Sequence, residues 1–69
     1  MKNFIITFAI IGSTIVGSVS DNKEYLPGVK ISTTKEIVYT DLDGNFKINL
    51  SDTLKITFIS YNDTTIILK

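Results

Sequence analysis

The sequence predicts an all-β domain of five to six strands preceded by an apolar amino-terminal segment. Three observations carry this. Isoleucine, threonine and valine make up more than a third of the 69 residues, and β-branched side chains are stiff at χ1 and suit a pleated surface better than a helix. After residue 13, short runs of alternating apolar and polar positions are separated by polar turn residues, the pattern of successive strands. No stripe of helical period is sustained beyond the amino-terminal segment, so almost no helix is expected past residue 20.

The amino terminus has three readings. Met1-Lys2-Asn3 followed by the apolar run Phe4 to Ile11, interrupted only by Thr7, reads as the charged and hydrophobic regions of a secretory leader, helical or not. Val16-Gly17-Ser18 and Ser18-Val19-Ser20 are the small-x-small cleavage signals, yet a cut at either would remove the strand-like stretch Ile15 to Ser20. That conflict moves the expected cut to residues 12–14, making residues 1–14 a leader or anchor and residues 15–69 the domain. The second reading is an uncleaved anchor, because residues 3–20 form an uncharged stretch of 18 residues, near the lower limit for crossing a bilayer core. The third is a folded element, a strand pair or core helix, which period alone does not separate from a leader in so short a run.

The strands follow in order. Ile15 to Ser20 leads into the polar turn Asp21-Asn22-Lys23-Glu24, whose Asx residues favour local side-chain to backbone bonds. Leu26-Pro27-Gly28 opens the second strand, with Val29, Ile31 and Thr33 on one face, and Pro27 belongs at a strand start or edge because it has no amide to donate. In the third, Ile37, Tyr39 and Asp41 share one face and Val38 and Thr40 the other. Asp41-Leu42-Asp43-Gly44-Asn45 is a tight turn read as a hairpin, since Asp-Gly between alternating runs is a strong hairpin signal. Phe46, Ile48 and Leu50 then occupy one side of the fourth strand. Beyond Ser51-Asp52-Thr53, a strand from Leu54 to Tyr61 becomes apolar on both faces and is expected to be central, and Thr64 to Leu68 supplies the last one.

Composition excludes much chemistry. Seven lysines balance seven acids, with no arginine or histidine, so nothing attracts phosphate backbones or acidic lipid strongly, and nucleic-acid binding is not expected. Without cysteine or histidine, thiolate and imidazole metal sites and most nucleophile-base pairs are unavailable. Asp21, Glu24, Glu36, Asp52 and Asp63 fall in turns or at strand ends rather than as a pair in a pocket. The three tyrosines, Tyr25, Tyr39 and Tyr61, could stack on a sugar or base, but cross-strand packing explains them better. One candidate metal set remains. Asp41, Asp43 and Asn45 resemble the opening of a calcium loop, but the glycine stands fourth rather than sixth, the twelfth position is Asp52 rather than glutamate, and strands rather than helices flank the loop. A structural turn is the better reading, and no cofactor is expected.

Together the runs spell a pattern: Gly17-x-Val19-x-Asp21, then Leu26-Pro27-Gly28-Val29-x-Ile31, then Thr40-Asp41-x-Asp43-Gly44-x-Phe46-x-Ile48, then Leu54 onward to Ser60-Tyr61. Over about residues 15 to 69 this resembles the carboxypeptidase regulatory-like domain. The resemblance implies a transthyretin-like (prealbumin-like) Greek-key β-sandwich with no catalytic residues of its own, of the kind found behind some metallocarboxypeptidase domains and ahead of TonB-dependent outer-membrane transporters in Bacteroidetes. The segment between Ile31 and Val38 is shorter than the family's and lacks its Gly-Thr pair. The family usually precedes a larger protein, and here the sequence ends at Lys69, so a stand-alone remnant, a truncated product and a partner-dependent piece are all open.

Leader and resemblance together predict a non-enzymatic structural or binding module of the bacterial cell envelope. It would be exported to the periplasm or outer membrane and engage another envelope protein or polymer through strand edges or loops. The alternative is a small inner-membrane protein in which residues 4–19 remain as an anchor and hold the chain to the membrane.

Overall fold

Alternation along the chain becomes seven strands: β1 (Ile5–Ile11), β2 (Thr14–Ser20), β3 (Lys30–Ser32), β4 (Ile37–Tyr39), β5 (Asn45–Asn49), β6 (Thr53–Thr57) and β7 (Thr64–Ile67). The computed structural model describes residues 3–68, and none of these is helical. The strands form two antiparallel sheets, one in the order β1-β2-β5 and the other in the order β4-β3-β6-β7. Inward positions of both sheets meet in one core. Ile15, Val19, Phe46 and Ile48 come from the first sheet and Ile31, Leu54 and Ile56 from the second, while Leu26, Val29 and Tyr61 close the ends from the connections. Burying an aliphatic side chain of this size contributes roughly 1.5–3 kcal/mol, so this cluster is the main stabilising term in a short chain.

The chain changes sheet three times, after β2, after β4 and after β5. As a result β2 pairs with β5 from Thr14↔Asn49 to Ser18↔Asn45, and β3 pairs with β6 from Lys30↔Thr57 to Ser32↔Lys55. These two pairings join parts of the chain far apart in sequence.

Several expectations are corrected. From Thr14 onward there are six strands, within the five to six expected, and a seventh is added among the described residues because the apolar amino-terminal segment is itself a strand rather than a helix. It pairs with β2 along its whole length, from Ile5↔Ser20 to Ile11↔Thr14, across the two-residue turn Gly12-Ser13. Phe4, Ile6 and Phe8 pack against the core while Ile5, Thr7 and Ala9 face outward. The period of two was hidden because an outward position, Ile5, is also apolar. Met1 and Lys2, the charged part of the expected leader, lie outside the described residues. Among the described residues no helix is long and apolar enough to cross a membrane.

The Asp41–Asn45 segment turns as expected, but it does not close a hairpin. β4 pairs with β3 and β5 pairs with β2, so this turn carries the chain from one sheet to the other. The strand read as Leu54 to Tyr61 ends at Thr57, and its central place, between β3 and β7, holds. Ser60 adopts φ 66° and the Tyr61 amide donates to the Phe58 carbonyl at 3.2 Å, which folds Tyr61 back into the core. Of the residues expected on one face of the fourth strand, Phe46 and Ile48 are buried, whereas Leu50 is partly exposed beyond the end of β5.

Candidate functional site

At one end of the two sheets, backbone groups from three separate sequence blocks close on each other. The Val19 amide donates to the Gly44 carbonyl, the Leu26 amide to the Val19 carbonyl, the Gly28 amide to the Thr40 carbonyl and the Thr40 amide to the Val29 carbonyl, all at 2.9–3.0 Å. Thr40 completes this corner with its side chain. Its hydroxyl donates to the Leu26 carbonyl at 2.6 Å and accepts from the Val29 amide at 2.9 Å. Thr40 is the buried polar side chain of the core, and both its hydrogen-bonding capacities are used, as burial of a hydroxyl requires.

Gly44 is what lets the corner close. Its φ of +78° is disfavoured for any residue with a Cβ, and a Cβ there would stand 2.7 Å from the Val19 carbonyl oxygen and 3.1 Å from the Leu26 nitrogen. Gly17 is required for a different reason. A Cβ on it would lie 2.8 Å from the Phe8 Cβ and 2.9 Å from the Phe46 ring, so these side chains occupy the space that glycine leaves over the sheet.

The candidate set Asp41, Asp43 and Asn45 lies next to this corner. One carboxylate oxygen of Asp41 accepts from the Asp43 and Asn45 amides, both at 2.9 Å, while the Asp41 amide donates to the Asn45 carbonyl and the Gly44 amide to the Asp41 carbonyl. The Asp41 carboxylate therefore organises its own turn in the manner of an Asx motif. Among the described residues no cluster of three or more acidic, histidine or cysteine side chains is disposed to hold a metal ion.

Asp21 performs the same task and adds a long-range tie. One carboxylate oxygen accepts from the Lys23 and Glu24 amides at 2.8 Å, and the other accepts from the Tyr61 hydroxyl at 2.8 Å, 40 residues away in sequence. Phe4 stacks on Tyr61 with ring centroids 5.0 Å apart. The hydrogen bond to Asp21 holds the Tyr61 hydroxyl above its ordinary pKa of 10.0, with burial and the negative charges of Asp21 and Glu24 adding to the effect. Glu36 links the sheets by accepting from the backbone and side-chain amides of Asn49. Surface depressions of about 450 and about 400 Å³ contain one carboxylate each, Asp52 and Asp21 respectively.

The four sheet edges differ. β4 is three residues long, with Glu36 directly before it and Asp41 two positions after it, β7 is four long and follows Asp63, and β5 carries Lys47 at its centre. β1 is seven residues long, has no charge, and leaves Ile5 48%, Ile10 48% and Ile11 64% exposed. Sheet edges are normally protected by charge, proline or shortness, and β1 has none of these.

Residue-by-residue reading of the sequence missed the buried role of Thr40 and the inward return of Tyr61. The signal for Thr40 was present, since it shares a face with Val38. No family model, curated protein or solved structure matches the chain.

Proposed function

We propose that the chain is a non-catalytic binding module of the carboxypeptidase regulatory-like type, a transthyretin-like Greek-key sandwich of the bacterial cell envelope, which engages a partner by strand addition. The observation that carries this reading is the outer side of β1, a long uncharged strand edge with exposed isoleucines. Backbone groups on such an edge supply affinity, and alternate side chains supply selectivity.

Two further observations support it. The blocks Gly17-x-Val19, Leu26-Pro27-Gly28-Val29 and Thr40 to Phe46, on which the resemblance rests, are the residues that meet at the hydrogen-bonded corner or pack beside it. The pattern is thus the signature of a corner that joins two sheets, as expected of a family whose shared residues are structural. The acids Asp21, Asp41 and Glu36 accept hydrogen bonds within the fold, the arrangement expected of structural rather than catalytic carboxylates.

In this reading residues 1–14 direct export to the periplasm or outer membrane. Processing near residue 13 would remove β1 and transfer the open edge to β2, so strand addition on this sheet is available to either form. The full chain and a chain beginning at residue 14, each tagged at the carboxy terminus, are to be expressed in a Gram-negative host and fractionated, with the mature amino terminus read by mass. The full chain is expected in the envelope and the shortened one in the cytoplasm. Cytoplasmic retention of both contradicts export, and a carbonate-resistant, unprocessed full chain favours the anchored alternative.

A further inference from the structure

We propose that β1 is a self-pairing surface, joining two copies of the chain antiparallel about a two-fold axis through Phe8. The strand reads Ile5-Ile6-Thr7-Phe8-Ala9-Ile10-Ile11, nearly the same in either direction. An isologous contact requires self-complementarity, because every residue of the patch meets its symmetry mate's counterpart. Antiparallel pairing about Phe8 sets Ile5 opposite Ile11 of the second copy, Ile6 opposite Ile10, Thr7 opposite Ala9, and Phe8 opposite Phe8. Apolar residues therefore face apolar ones at every rung except the two that set the small Thr7 and Ala9 against each other.

This register also preserves the two faces of the sheet. Odd positions meet odd positions and even meet even, so Ile6 and Phe8, which pack against the core, stay on the core side in both copies. The two three-stranded sheets then continue as one. The exposed ends of β1 are covered as well, because Ile5 and Ile11 meet each other on the outer face, and Ile10 meets Ile6 on the inner one. Charge favours this edge over the others: the same operation on β5 would set Lys47 against its own copy, and like charges directly opposite are unfavourable. β4 and β7, at three and four residues, offer too few rungs.

The inference rests on the strand-edge reading above and names its partner as a second copy of this chain. It needs residues 5–11, so the test uses the purified full chain with its mass confirmed. Thr7 and Ala9 are exposed and opposite each other across the proposed axis, which allows a register-specific pair of variants. In Thr7→Lys/Ala9→Glu each introduced ammonium faces an introduced carboxylate of the other copy. In Thr7→Lys/Ala9→Lys like charges face each other at two rungs.

Sedimentation across a concentration series is expected to show a reversible dimer for the parent chain, retained by Thr7→Lys/Ala9→Glu. The all-lysine variant should be weakened on the order of tenfold or more relative to the mixed-charge one. Circular dichroism of both variants checks that the fold is kept. A parent chain that stays monomeric at millimolar concentration overturns the inference, as do equal dimer strengths in the two variants. Either failure leaves the fractionation result untouched, so it is separable from failure of the envelope reading.

Discussion

The corner at Thr40 and Gly44 and the edge at β1 are built on opposite principles. At the corner, polar groups from three blocks are buried and mutually satisfied, and Gly44 leaves no room for a Cβ. At the edge, one side of a strand is left open, apolar and uncharged, and its outward side chains touch little. The difference separates the residues that carry the resemblance from the surface proposed to bind. The motif residues maintain the crossing between sheets, whereas the surface proposed to bind carries no motif and is visible only once the pairing is known.

The sharpest way to break the comparison is at Gly44. Replacing it with alanine imposes a left-handed backbone on a residue that resists it and drives a methyl group into the Val19 carbonyl. A loss of roughly 3 kcal/mol or more is expected, enough to unfold a domain this small. Urea titration followed by circular dichroism measures it. Thr40→Val keeps the shape but strands the Val29 amide and the Leu26 carbonyl, and should cost about 1–3 kcal/mol by the same titration.

Tyr61→Phe tests the long-range tie to Asp21. The folded chain holds the Tyr61 hydroxyl above its ordinary value of 10.0, so the neutral form is favoured in the folded state. Its contribution is complete below the unfolded pKa and is lost as pH rises through the raised one. The parent chain is therefore expected to lose urea resistance on the alkaline side, and the phenylalanine variant should show a flatter curve there with a lower plateau at neutral pH. The smallest effect belongs to the edge: Thr7→Lys should change stability by no more than about 0.5 kcal/mol, because the side chain faces solvent in the isolated chain.

What was legible in the sequence follows the same division. β5 was readable from Phe46 and Ile48 alternating with Lys47, and β2 and β7 from their own runs, because period-two burial is a local property. The turn at Asp41–Asn45 was readable too, but not its role. A turn's chemistry says that the chain reverses, not which strand each arm will pair with, and here the arms join different sheets. Tyr61 was misplaced because its partners, Phe4 and Asp21, lie far away in sequence, and a turn after Thr57 that brings it to them carries no local signal beyond Ser60. β1 was ambiguous for a compositional reason. An unguarded strand whose exposed residues include isoleucine has the same composition as a leader's hydrophobic region.

Amide hydrogen exchange on the full chain sets the two regions side by side in one measurement. The amides of Val19, Leu26, Val29 and Thr40 are expected to exchange only through global unfolding and so to be strongly protected even in dilute solution. Alternate amides of β1 that point away from β2 are expected to exchange fast in dilute solution and to slow as concentration rises and copies pair. Fast exchange at the corner, or β1 amides whose protection ignores concentration, would contradict the account.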